Sequence, residues 1–257
     1  MNLTADNYFS PEANQQYMSV SQFKAFLKCP AAAIAELRGE YQREQTTSLL
    51  VGSFVDSYFS GELEQFKSDH PEIFKRDGTL KSEYMQALEI IKRVRRDPMF
   101  MEYMSGEKQV IMTGEICGVP VKIKVDALHS DKIVDLKVMR DFMPIYSEEM
   151  SCKVPFWIAW GYDIQAAVYS EIVYQNTGNR LPFFLAAATK EKVTDYNIFH
   201  IVQSDIDLAM DTVKQNIQRF DAMKQGLIEP DRCGDCEYCR ETKVLSEIIE
   251  SDSPLFV

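Results

Sequence analysis

The sequence predicts an α/β domain, and three observations predict it. Helical periodicity fills most of the first hundred residues, three consecutive β-rich segments follow, and helices then return on both sides of two further strands. The first seventeen residues are polar and are expected to be loosely ordered. From Ser19 onward Phe23, Phe26 and Leu27 fall on one helical face, with Ser19 or Ser21 as N-cap. A second helix is expected over Ser48 to Phe59, ending near Gly61, and residues 62–79, with Pro71 and Asp77-Gly78, read as an irregular insertion. A third helix runs from about Ser82 to Arg96, stopped before Pro98.

Segments 108–116, 119–128 and 132–139 alternate or run β-rich and are read as an antiparallel meander. A helix over Phe156 to Tyr174 follows, then strands at 182–189 and 195–203. Ser204 starts a long amphipathic helix, with Asp207 completing a capping-box pattern, a core stripe of Ile206, Met210, Val213, Ile217 and Phe220, and Gly226 at its end. The 257 residues are expected to form one domain: an N-terminal helical part (1–106), a core (107–226) and a cysteine-containing tail (227–257).

Hydrophobic content of 46% supports a substantial buried core. No apolar run is long enough to span a bilayer, and the N-terminus reads neither as a signal nor as a transit peptide, so a cytoplasmic protein is expected. The net charge of −11 argues against a general nucleic-acid coat, because phosphate contacts need Lys and Arg. The densest basic patch is Lys92, Arg93, Arg95 and Arg96; on a helix Lys92, Arg95 and Arg96 share a face. That face either tracks phosphates or is simply solvated.

The chemistry concentrates on one hairpin. Val121, Ile123 and Val125 alternate with Lys122, Lys124 and Asp126, while Val134, Leu136 and Val138 alternate with Ile133, Asp135 and Lys137. A two-residue turn at Ser130-Asp131 implies a register in which paired numbers sum to 261. Val125 is then set against Leu136, Ile123 against Val138, and Asp126 directly opposite Asp135. Carboxylates that close repel unless neutralised, and a hard divalent cation does this best. The alternative is a solvent-facing hairpin whose acids are balanced by Lys124 and Lys137. Asp56 is the one charged residue between Gln45 and Gly61, in an otherwise apolar helix where a buried carboxylate needs a partner. Gly52, one turn earlier, would let that helix approach the sheet. Gln165 and Tyr169, spaced i, i+4, project from one side of their helix as neutral hydrogen-bonding groups.

Taken in order, Gly52-x-x-x-Asp56, Val125-Asp126, Val134-Asp135-Leu136-Lys137 and Gln165-x-x-x-Tyr169 resemble RecB-type nucleases of the PD-(D/E)XK superfamily, with phage and prophage enzymes like exonuclease VIII as the nearest look-alikes. The opening Ser19-Val-Ser-x-Phe-x-x-Phe-x-x-Cys29-Pro30 resembles the start of that family, and the likeness covers about residues 18–240. It implies a restriction-endonuclease-like core, a central mixed sheet flanked by helices, and DNA as substrate. It also implies a Mg²⁺ or Mn²⁺ site formed by Asp56, Asp126, Asp135 and the carbonyl of Leu136. Lys137 would orient the attacking water, Gln165 and Tyr169 would hold the strand, and the product would carry a 5′-phosphate. The chain departs from the pattern at Asp56, where RecB-type enzymes usually carry His; a carboxylate hardens the site. Relatives suggest a homo-oligomeric ring and a single-strand annealing protein as partners.

Cys233, Cys236 and Cys239, spaced C-x₂-C-x₂-C, can supply three thiolates. The resemblance makes Cys29 the fourth ligand of a [4Fe–4S] cluster, with Zn²⁺ as the other occupant and free thiols as the remaining alternative. Cys117 and Cys152 are expected to be unmetallated. Competing with a recombination exonuclease are a CRISPR- or restriction-type nuclease and a catalytically silent DNA-binding scaffold.

Overall fold

The computed structural model describes residues 1–148 and 150–245; Glu149 and the end of the expected tail, 246–257, lie outside the described residues. Helix α1 (Pro11–Gln16) leads through β1 (Met18–Ser19) into α2 (Val20–Lys28) and α3 (Pro30–Leu37). Ser19 caps α2 in a capping box with Gln22. The first seventeen residues are not loose as expected. Tyr8 and Ala13 are buried, and two buried lysines pin the arm to the body. Lys122 donates to the Tyr8 carbonyl and to Asn14 Oδ1 (2.7 Å), and Lys224 donates to the Tyr17 carbonyl at 2.7 Å.

Helices α4 (Thr47–Ser60) and α5 (Leu63–Asp69) follow, α5 lying inside the stretch expected to be irregular. A 3₁₀ turn at Ser82–Tyr84 opens into α6 (Met85–Val94), then α7 (Pro98–Tyr103). Next come β2 (Glu107–Ile116), β3 (Val119–Leu128), β4 (Ile133–Met139) and a small hairpin of β5 (Ile145–Ser147) and β6 (Cys152–Val154). The helix expected from Phe156 is two, α8 (Phe156–Ala159) and α9 (Tyr162–Thr177). Gly161 divides them with φ +64°, a backbone conformation that favours glycine, and a Cβ there would meet Lys24 Cδ at 2.8 Å and displace that side chain. Strands β7 (Phe183–Thr189) and β8 (Tyr196–Ile201), helix α10 (Gln203–Lys224) and the short α11 (Glu237–Glu241) complete the fold. The capping box expected at Ser204 and Asp207 is absent: α10 begins a residue earlier, and Asp207 accepts from Gln203 Nε2 at 2.7 Å. None of these helices is long and apolar enough to cross a membrane.

The main sheet is mixed. β3 pairs antiparallel with β2 along one edge, β4 pairs parallel with β7, and β7 pairs antiparallel with β8. Helices α2, α3, α9 and α10 cover one face over Val121, Ile123, Val125, Ile133, Phe183 and Leu185. Helices α4, α6 and α7 cover the other over Ala127, Val134, Leu136, Ala186 and Ala188. A sheet buried on both faces explains why β7 reads as a continuous apolar run.

The free edge of β3 is shared. β4 pairs there only at Ala127↔Val134 and Leu128↔Ile133, and β1 pairs in parallel at Val121 and Lys122. The 261 register therefore forms where the strands touch, but they part immediately beyond it. Val125 and Ile123 lie under α9 whereas Leu136 and Val138 pack with α4, so the expected oppositions of 125 with 136 and 123 with 138 do not occur. The departure is local: Gln109 has φ +54°, the β2–β3 ladder skips the 109–126 pair, and the in–out alternation of β3 slips by one residue at Asp126.

Candidate active site

The parting of β3 from β4 opens a cleft of about 940 Å³ whose walls include Asp56, Asp126, Asp135, Leu136, Lys137, Gln165 and Tyr169. All seven were singled out in the sequence; the cleft that gathers them comes from the splayed strands. In place of a backbone carbonyl, Asp126 Oδ2 accepts the Leu136 N–H at 2.9 Å, which fills the gap in the ladder and fixes the carboxylate. Asp126 and Asp135 thus belong to neighbouring strands but not to a ladder pair.

Asp135 is 1% exposed. Its Oδ1 accepts from Gln165 Nε2 at 2.6 Å, while Oδ2 lies against the Lys137 ammonium and has no partner in hydrogen-bonding geometry. Gln165 therefore spends its amide on orienting Asp135, and Tyr169 donates to the Lys124 carbonyl at 3.0 Å. Both residues sit in the expected cleft with their polar groups committed to the protein. Asp56 reaches the same cleft from α4. The close approach expected at Gly52 is ordinary: a Cβ there would lie 3.9 Å from Val138, so alanine fits.

Burial lifts the Asp126 carboxyl well above its ordinary value, and the charges of Asp135 and Asp56 push it further against the pull of Lys137. Burial likewise raises Asp56, with Lys137 pulling down and Asp135 pushing up. Burial alone would lower Lys137, but the carboxylates of Asp135 and Asp126 more than reverse this and hold it above its ordinary value. Three carboxylates thus gather around Lys137, with Lys24 and Lys124 also on the cleft wall, and Asp135 Oδ2 has the Lys137 ammonium beside it but no hydrogen bond of good geometry. A hard cation with oxygen ligands fits that donor set. Asp56, Asp126 and Asp135 share the cleft, but their carboxylate oxygens do not all come within 4.8 Å of one another.

Several residues at the site were missed in the sequence. Lys24 on α2 donates to the Trp160 carbonyl at 3.1 Å, and burial together with the nearby Lys137 charge lowers its pKa to about 8. Both ammonium groups stand 5.2 Å from the Tyr162 ring centroid. Phe9, 69% exposed on the N-terminal arm, lies 5.1 Å from the Lys124 ammonium. Nothing in the local pattern around Lys24 or Phe9 signals this, because both arrive through contacts more than a hundred residues apart in sequence. Lys92, Arg95 and Arg96 are exposed on and just beyond α6, and none lines the cleft; Lys92 pairs with Glu89, and Arg95 lies over Tyr58.

The cysteines converge away from the cleft. Among the described residues, Cys29, Cys233, Cys236 and Cys239 are the one group of three or more metal-ligating side chains whose ligand atoms all lie within 4.8 Å of each other. Cys29 and Cys239 are buried, and Cys117 and Cys152 are exposed and apart from them.

The family model of a PDDEXK-like domain of unknown function matches residues 19–242. A crystal structure of a "Putative exonuclease" from Eubacterium rectale superposes with a TM-score of 0.92 at 48% identity, covering 97% of each chain. No curated protein matches. With the splayed hairpin, its carboxylates and its lysine in place, the chain belongs to the PDDEXK-like family.

Proposed function

We propose that the protein is a metal-dependent deoxyribonuclease that hydrolyses phosphodiester bonds at duplex ends. The observation that carries this reading is the meeting of Asp56, Asp126, Asp135 and Lys137 in one open cleft, where burial and neighbouring carboxylates raise Asp56 and Asp126. Asp56, Asp126, Asp135 and the Leu136 carbonyl would hold Mg²⁺ or Mn²⁺, which supplies Lewis acidity and lowers the pKa of a bound water. Lys137 orients the attacking water and offsets charge that develops on the scissile phosphate. Gln165 holds the Asp135 carboxylate in place through Oδ1. Lys24 and Lys124 add cationic groups for the backbone of the strand.

Action at ends rather than within duplex is supported by the net charge of −11, which disfavours broad internal binding, and by the E. rectale protein being called an exonuclease. Within this reading the biological setting is phage-type recombination with a single-strand annealing partner, and the active form is a homo-oligomeric ring. Linear and covalently closed circular duplexes, each with and without Mn²⁺, provide the test. Cleavage of the linear form alone, only with the ion, is expected. Rapid cutting of the closed circle would favour a restriction-type enzyme, and no cleavage of either would leave a silent DNA-binding scaffold.

A further inference from the structure

We infer that Cys29, Cys233, Cys236 and Cys239 hold a single tetrahedral ion of the zinc class, closed to solvent chemistry, and not an iron–sulfur cube. This does not rest on the nuclease reading. The Sγ atoms of Cys29 and Cys239 are 3.5 Å apart, those of Cys233 and Cys239 are 3.9 Å apart, and all four lie within 4.8 Å of one another. The centre of a regular tetrahedron lies about 0.61 of an edge from each corner, so edges between 3.5 and 4.8 Å place a central ion about 2.1–2.9 Å from the sulfurs, a range that contains the Zn–S bond of about 2.3 Å. In a [4Fe–4S] centre each thiolate binds a different iron and stands one bond outside it. Even edges of 4.8 Å leave only about 0.6 Å between each iron and the cube centre after a metal–sulfur bond of about 2.3 Å, which would make the irons overlap.

The backbone is arranged for thiolates at this spacing. The Cys236 N–H donates to Cys233 Sγ and the Cys239 N–H to Cys236 Sγ, each at 3.4 Å, as a tight turn leading into α11. The Ala31 N–H bonds the Asp231 carbonyl at 3.0 Å, and Arg232 bonds the Cys239 carbonyl at 3.2 Å, so both strands of chain are held before any ion is counted. Cys29 is the residue between α2 and α3, and those two helices supply Lys24, Ala25, Phe26, Ala33 and Leu37 to the cleft wall. The ion therefore ties the C-terminal segment to the wall that carries Lys24. Four protein ligands leave no open position, so its role is structural, and zinc makes it redox-silent.

The test is the metal content of protein purified anaerobically from cells supplied with both iron and zinc, followed by Co²⁺ titration of chelator-treated protein. One zinc per chain without acid-labile sulfide is expected. So is uptake of one Co²⁺ with the intense bands of a tetrahedral tetrathiolate site, displaced by Zn²⁺. Cys239→Ser, at a buried position, risks unfolding the segment. Cys233→Ser, at an exposed one, is expected to keep the circular dichroism of the wild type while weakening Co²⁺ binding by more than about a hundredfold, beyond what loss of an outer partner costs. Iron and sulfide in near-equal amounts with broad visible absorption would overturn the inference. So would failure of the wild type to take up Co²⁺, or unchanged Co²⁺ affinity in Cys233→Ser.

Discussion

Replacing Gln165 by leucine separates two roles that its position allows. The side chain is 7% exposed and donates at 2.6 Å to Asp135 Oδ1, while Oδ2 of the same carboxylate already lacks a hydrogen-bonding partner. Leucine keeps the bulk and removes the donor, leaving the buried carboxylate with the Lys137 ammonium beside Oδ2 and nothing to satisfy Oδ1. A hydrogen bond to a charged group contributes about 1.5–3 kcal/mol. At about 2–4 °C per kcal/mol for a chain of this size, the ion-free variant should melt about 3–12 °C below wild type. Saturating Mn²⁺ should narrow that gap, because the ion compensates the orphaned carboxylate. In catalysis the loss belongs to the orientation of Asp135, so kcat should fall about 10- to 140-fold, by the same energy, with KM for DNA nearly unchanged. Steady-state kinetics on a linear duplex and thermal melts with and without Mn²⁺ read both quantities. A raised KM with unaltered kcat and melting temperature would refute the positioning role and return Gln165 to direct contact with the DNA strand.

Asp135→Asn should weaken Mn²⁺ binding measured by isothermal titration; equal affinity in both proteins would show that Asp135 does not ligate the ion. Lys137→Ala should slow cleavage by about two to four orders of magnitude, as expected for a group that acts mainly in the transition state. It should bind Mn²⁺ no more weakly than wild type, since it removes the ammonium that competes for Asp135; unchanged cleavage would make Lys137 a bystander. The raised carboxyls of Asp56 and Asp126 set a pH dependence. A carboxyl whose folded pKa exceeds its unfolded value contributes stability below the unfolded value, ordinarily 3.8, and loses it as pH rises through the folded value. The ion-free protein therefore carries this penalty at neutral pH, and the ion relieves it. The rise in melting temperature on adding Mn²⁺ should be larger at about pH 8 than at about pH 5, and a shift independent of pH would contradict the mutual repulsion of these groups.

The sequence by itself determined what depends on neighbours along the chain. Two-residue alternation set Val121, Ile123 and Val125 on one face and placed Asp135 and Lys137 beside Ile133, and the turn at Ser130-Asp131 set the 127–134 and 128–133 pairs. The 3.6-residue stripe on α10 and the spacing of the three C-terminal cysteines were equally legible. The tertiary structure alone decided where β3 and β4 part, because the slip at Asp126 falls opposite Gln109, which sits in the adjoining strand in a left-handed conformation. It also decided what each polar group is spent on: Gln165 on Asp135, Asp126 on the Leu136 amide, Lys122 on the N-terminal arm. Local pattern states which way a side chain faces, but its partner is chosen by packing between segments far apart in the chain. Lys24 and Phe9 came into the cleft, and Lys92, Arg95 and Arg96 stayed out of it, for that reason.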